Sequence, residues 1–306
     1  MAELSFPYLS VMIALPLLAA LATLLGDAVV TRRVASAAAL VSLALALGGL
    51  AEHVAAPAAV FADPWDPLRA LLGRPALRLD GLSAVLLPFA AAIALVAVSV
   101  APRTALRASL LRRNLFAQAV VAATFATREP WLLVALWWLG MAPPLLELRS
   151  AGPAGRPALR VFALYMAVCA ATFTGGVALA GGESALAGSI LLVIAVMIRK
   201  GITPLHSWMP ELFEHAPLGV STLFNAPQVG AYVAATLVLP SEPEAVLHVV
   251  GVAAILTALY GSAMALVQPG ARRAYGYLFM SQSALVMLGF ECLSLPGIAG
   301  SLAFFS

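Results

Sequence analysis

The sequence predicts an all-α polytopic membrane protein of about ten complete transmembrane helices. Three observations carry this. Of 306 residues, 62% are hydrophobic and only 10% are charged, where soluble domains average about 25% charged. The mean hydropathy is +0.99. Apolar runs near the ~20 residues of a full span recur along the chain, unlike the short alternating segments of a β-barrel.

The runs occupy residues 6–26, 34–52, 81–101, 107–127, 130–148, 159–181, 184–200, 218–239, 246–267 and 275–290, and an eleventh starts at 295 and is cut off at 306. The first follows Met1-Ala-Glu-Leu, which has no basic leader, so it reads as an uncleaved span. The fourth is marginal, because Arg112 and Arg113 shorten its apolar part. The seventh is short and is broken after Lys200 by Gly201 and Pro204. Residues 52–80 form the one long connection. Its prolines (57, 64, 67 and 75) predict irregular chain with a short interfacial helix near 65–72.

Arginine placement predicts the orientation. With the N-terminus outside, the inner side holds thirteen basic residues: Arg32, Arg33, Arg103, Arg107, Arg112, Arg113, Arg149, Arg156, Arg160, Arg199, Lys200, Arg272 and Arg273. The outer side keeps four, Arg69, Arg74, Arg78 and Arg128. That is a strong positive-inside bias, predicting a polytopic protein with the N-terminus outside. The net charge of +3 comes from scattered arginines, which excludes a nucleic-acid face. Cys169 and Cys292 lie in apolar runs, so neither a disulfide framework nor a metal spacing follows. No phosphate loop, dinucleotide fingerprint or serine-triad pattern is present, so no cofactor, metal or redox catalysis is expected on this chain.

Lys200 is the only lysine; the other sixteen basic residues are arginines. It closes the apolar run Ser189-Ile-Leu-Leu-Val-Ile-Ala-Val-Met-Ile198 and precedes Thr203-Pro-Leu-His-Ser-Trp-Met-Pro210. An ionisable group inside a membrane segment points to function, and lysine, unlike arginine, releases its proton readily when buried. Gly201, Pro204 and Pro210 interrupt the helix, with Trp208 between the prolines. Such breaks leave backbone groups that protein or water must satisfy, and they occur at ion sites of transporters. His206 and His215 can carry protons near neutral pH, and Glu211 and Glu214 sit within one helical turn. The plainer alternatives are snorkelling of Lys200 to the interface and a solvated loop for Glu211, Glu214 and His215. Trp131, Trp137 and Trp138 read as interface and packing aromatics, Gly175-Gly176 and Gly181-Gly182 as sites of close packing and a turn, and His53 and His248 as solvated histidines near span ends.

The string Lys200-Gly-Ile-Thr-Pro-Leu-His-Ser-Trp-Met-Pro-Glu211, followed by Ala216-Pro-Leu-Gly-Val-Ser-Thr-Leu-Phe-Asn225, resembles the signature of antiporter-like, proton-conducting membrane subunits. That family includes the large membrane subunits of respiratory complex I and of membrane hydrogenases. It also includes multisubunit cation/proton antiporter subunits and the membrane half of a bicarbonate-uptake pair. Leu79-Asp-Gly-Leu-Ser-Ala84, Val267-Gln-Pro-Gly-Ala-Arg-Arg-Ala-Tyr275 and Ser281-Gln-Ser283 resemble further family strings, so the resemblance covers about residues 79–290.

The resemblance implies an inverted repeat of five-helix units in a fold of about fourteen helices. On that division, residues 1–106 hold three N-terminal helices, residues 107–240 the first repeat and its proton half-channel, and residues 241–306 the start of the second repeat. It implies Lys200 as central proton carrier, His206 and Asn225 as partners on a water wire, and other membrane and peripheral subunits as partners in the bilayer. Two departures stand out. The family's fifth-helix glutamate falls at Leu139 or Gly140, leaving Glu147 or Glu211 as the nearest acids, and its eighth-helix histidine is Asn225. The implied function is proton translocation within a complex I-like assembly. The alternatives are a bicarbonate or carbon dioxide uptake partner, a cation/proton antiporter subunit, and a non-conducting structural subunit.

Overall fold

The computed structural model describes residues 2–101, 107–180, 184–238 and 244–291. Arg103, Gly181-Gly182, Cys292 and the run from residue 295 lie outside the described residues. Helices fill the expected runs: α1 (Tyr8–Ala22), α2 (Ala28–Ala55), α3 (Arg69–Leu72), α4 (Gly81–Ser99), α5 (Ala108–Ala126), α6 (Pro130–Gly140), α7 (Ala142–Ser150), α8 (Arg156–Leu179), α9 (Ala185–Lys200), α10 (Trp208–His215), α11 (Leu218–Asn225), α12 (Val229–Val233), α13 (Glu244–Val267) and α14 (Ala271–Glu291). A π-helical segment, Ala234–Val238, extends α12. Among the described residues, five segments are long and apolar enough to cross a membrane: Ala28–Ala55, Gly81–Ser99, Pro130–Ser150, Gly152–Leu179 and Val246–Val267. The chain is an all-α membrane protein.

Three expectations need correction. The connection 52–80 carries a small sheet of two-residue strands, β1 (Ala2–Glu3), β2 (Phe61–Ala62) and β3 (Arg78–Leu79), with β1 parallel and β3 antiparallel to β2. Its helix is a single turn, α3, rather than residues 65–72, because Asp63 and Asp66 take the preceding amides. Asp63 accepts from Trp65 N–H and Asp66 from Leu68 N–H. The eighth run is not one helix. Pro227 supplies no amide to it, and Gln228 adopts φ +57°. His53 is buried, not solvated, with its ring edge against Phe61.

The chain forms two compact units. The first comprises Met1–Pro143 and Leu218–Pro227. In it α2 presents one buried stripe of small residues, Ala35, Ala38, Ala39, Ser42, Ala46 and Gly49. Small residues let helices approach closely where lipid removes the hydrophobic drive for helix association. Ala35 and Ala38 meet Ala19 of α1, Val98 of α4, and Leu111 and Leu115 of α5 in a common core. Arginines close helix ends, where carbonyls lack partners: Arg112 donates to Thr23 O after α1, and Arg32 to Ser99 O of α4. Asp80 caps α4 by accepting from Leu82 and Ser83 N–H, and it pairs with Arg128 at 2.6 Å. This gives a physical reason for the acid in the Leu79-Asp80 string.

The second unit comprises Pro144–Pro217 and Gln228–Ser306. It is built on two helix pairs, α8 with α9 and α13 with α14. Gly176 and Gly188 set the first pair: a Cβ on Gly188 would lie 3.0 Å from Gly176 O and 2.9 Å from Ala180 N. The second pair is tied by Ser281, which donates to Ala258 O and lies 3.0 Å from Ser262 Oγ.

Candidate functional site: the broken end of α9

Lys200 is the last residue of α9 and is 3% exposed; Arg199 is 8% exposed. The helix ends there because Gly201 turns left-handed at φ +65°. Its amide donates to Ile198 O and that of Ile202 to Met197 O, the paired bonds of a Schellman ending. The indole N–H of Trp208 adds a third bond at this end, donating to Ile198 O at 2.8 Å. Trp208 is fully buried, edge-on to Phe162 at 5.7 Å.

Among the described residues, α13 holds the break at two places. Thr203 N–H donates to Thr257 Oγ1 on α13 at 2.9 Å. Pro204 is exposed and joined by a cis peptide to Thr203. His206 is half-buried, its ring against Tyr260 with centroids 5.0 Å apart. Pro210 lies in the first turn of α10, where its missing amide costs least.

The floor under Lys200 is Gly230 of α12. A Cβ there would lie 2.9 Å from Lys200 Cδ, 3.1 Å from Lys200 Cγ and 3.2 Å from Arg199 Cγ. Neighbouring helical residues project about 100° apart, yet both stems border this one glycine. The ammonium Nζ has no hydrogen-bond partner among the described residues. Burial therefore replaces snorkelling as the description of Lys200.

Neither acid considered as its partner is ion-paired to Lys200 among the described residues. Glu147, on α7, is 1% exposed, and Ser150 Oγ lies 3.5 Å from its Oε2. Glu211 pairs with Arg273 at 2.9 Å, and its Oε2 is 3.5 Å from His215 Nδ1. Glu214 pairs with the same arginine at 2.6 Å. Arg272 donates to Phe213 O and Ala216 O at the end of α10. These acids thus belong to a cluster joining α10 to α14, not to a free loop. Asn225, in the first unit, donates to Ser221 O at 2.9 Å and is buried. Sequence reasoning missed Gly230, Thr257 and Tyr260, none of which stands out among similar residues in apolar runs. Arg272 and Arg273 were visible in a motif, but their partners were not.

Residues 159–305 match the family model described as NADH:quinone oxidoreductase/Mrp antiporter, transmembrane. NADH-quinone oxidoreductase subunit N 2 of Aquifex aeolicus is 29% identical over 122 residues, 38% of this chain and 25% of the relative. The match thus spans about a quarter of that relative's length. A chain of the membrane-bound sulfane sulfur reductase, an archaeal respiratory membrane complex, superposes with TM-score 0.83 at 17% identity, covering 97% of this chain and 67% of the other. A chain of respiratory complex I from Thermus thermophilus superposes with TM-score 0.80 at 23% identity, covering 96% and 67%. These likenesses show the fold, and the match over residues 159–305 includes the Lys200 string, its broken helix and both helix pairs. Residues 159–305, just under half of the chain, thus carry the transmembrane region of the antiporter-like family of membrane subunits.

Proposed function

We propose that this chain is a proton-translocating subunit of a multisubunit, complex I-like membrane assembly, with Lys200 as the proton carrier. The observation that carries the reading is a buried lysine at a broken helix end, its Nζ without a hydrogen bond among the described residues. A buried ammonium without a partner is costly, and lysine escapes the cost by giving up its proton, which arginine does not. His206 and Asn225 serve as water-wire partners, and Glu147 or Glu211 as the acid that approaches Lys200 during turnover. Moving one charge against 100 mV requires about 2.3 kcal/mol, which redox chemistry on other subunits supplies.

The reading extends to the whole chain. Residues 107–240 form one antiporter-like repeat, residues 241–306 begin its inverted counterpart, and the protein lies in an inner membrane with its N-terminus outside. The similar solved chains belong to multisubunit respiratory complexes, which supports assembly with other subunits. A second reading, cation/proton antiport, is favoured by the family description, which pairs quinone oxidoreductases with Mrp antiporters.

The test is proton flux in vesicles containing the assembled complex. Lys200→Ala is expected to abolish the flux assigned to this subunit while assembly persists, and Lys200→Arg is expected not to restore it. Wild-type pumping by Lys200→Ala removes Lys200 from the mechanism and leaves a structural subunit. Flux that requires sodium selects the antiport reading, and bicarbonate-dependent uptake selects the carbon dioxide pair.

A further inference from the structure

The first unit contains a small, mostly apolar cavity with two polar residues in its wall, which the Lys200 site does not use. It has a volume of about 10 Å³, room for the centre of about one water molecule. Its walls include Met12 of α1, Ser42 of α2, Leu87 of α4, Gln118 of α5, and Leu223 and Pro227. Two of these are polar and deeply buried, Ser42 at 1% and Gln118 at 6% exposure. Ser42 Oγ and Gln118 Nε2 have no hydrogen-bond partner among the described residues.

The behaviour of Ser42 is informative. Hydroxyls inside helices ordinarily donate to the carbonyl four residues back. Thr23, Thr124, Thr172, Thr174, Thr236, Thr257 and Ser262 all do so here. Ser42 does not, although α2 offers it the same carbonyl. A buried hydroxyl and a buried amide N–H left without any partner each forfeit the hydrogen bond they made to water in the unfolded chain. The groups around the cavity are neutral, so their chemistry suits water rather than a cation or anion.

We propose that Ser42 and Gln118 hold an ordered water molecule between α1, α2, α4 and α5. The site is independent of Lys200 and of the proton-carrier reading. A second cavity, in the other unit, supplies the contrast. It has a volume of about 20 Å³ and is lined wholly by apolar residues, among them Val193, Met197, Val250 and Met287, and apolar cavities of this kind stay dry.

Radiolytic footprinting of the full chain in native membranes distinguishes the two, because hydroxyl radicals formed from bound water oxidise buried methionines beside it. Met12 and Met287 are both buried, at 3% and 5% exposure, so bulk water labels neither efficiently. Met12 is expected to oxidise at least fivefold faster than Met287. Gln118→Met and Ser42→Ala together are expected to remove that difference. Equal rates at Met12 and Met287 in the wild-type protein overturn the proposal without any variant, and so does an unchanged Met12 rate in the double variant. Both readouts are blind to proton flux, so their failure is separable from failure of the Lys200 reading.

Discussion

At the scale of the residue, Lys200 is defined by what it touches. Its aliphatic stem rests on Gly230, while its ammonium has no hydrogen bond among the described residues. The combination fixes the stem and leaves the charge to be settled by water or a moving acid. Gly230→Ala tests the fixing. The three atoms nearest the added methyl are side-chain carbons of Lys200 and Arg199, so the helices can stay while the lysine moves. The expected outcome is an assembled protein with proton flux reduced severalfold, measured per amount of complex in vesicles. Gly230→Val carries a further overpacking cost of about 1–3 kcal/mol and should lower assembly too. Wild-type flux in Gly230→Ala would show that the position of the lysine stem does not matter to transport.

At the scale of the element, the interplay of buried carboxylates and helix ends orders the connection 52–80. Asp63 is fully buried and accepts four hydrogen bonds, from Leu9 N–H, Ser10 N–H, Ser10 Oγ and Trp65 N–H. It therefore caps α1 from more than fifty residues away in sequence, placing a carboxylate where the helix dipole favours one. Asp66 does the same for the turn, accepting from Ala76 and Leu77 N–H. Asp63→Ala leaves two first-turn amides unpaired, Leu9 buried and Ser10 part-buried, at about 1–3 kcal/mol. Hydrogen exchange at Leu9 and Ser10 is expected to accelerate at least tenfold, the factor that corresponds to about 1.4 kcal/mol. Unchanged exchange would mean that α1 holds its own first turn.

The same elements explain what could be read from the chain alone. Helices in the apolar runs were legible because burial in lipid forces the backbone to bond within each segment. The break after Lys200 was legible too, since Gly201 and Pro204 mark it locally. The capping by Asp63 and the small sheet were not, because each depends on partners distant in sequence, and the left-handed Gln228 was not, because it is not one of the glycines that ordinarily mark that conformation. Trp208 was named as part of the break, but only the fold reveals that its indole bonds Ile198 O. The partners of Glu211 and Glu214 were hidden for the same reason: Arg273 lies about sixty residues away.

At the scale of the whole molecule, the arginines do two jobs whose joint consequence is an orientation. Several close helix ends: Arg32 at α4, Arg112 after α1 and Arg272 at α10. Their excess over the outer-side arginines also predicts which side of the membrane those ends occupy. Cysteine labelling with a membrane-impermeant maleimide decides it. Native Cys169 is fully buried and silent, and a Cys292→Ser background removes the other thiol. Leu71 is 80% exposed in the connection 52–80, and Ala154 is exposed in the turn between α7 and α8. With the N-terminus outside, Leu71→Cys labels in intact cells, and Ala154→Cys labels only after permeabilisation. The reverse pattern would invert the protein, placing the Arg112 and Arg272 ends outside and the Glu129 cluster with Arg74 and Arg78 inside. The charge bias would then have to be attributed wholly to helix capping, since the same arginines would no longer report the membrane side.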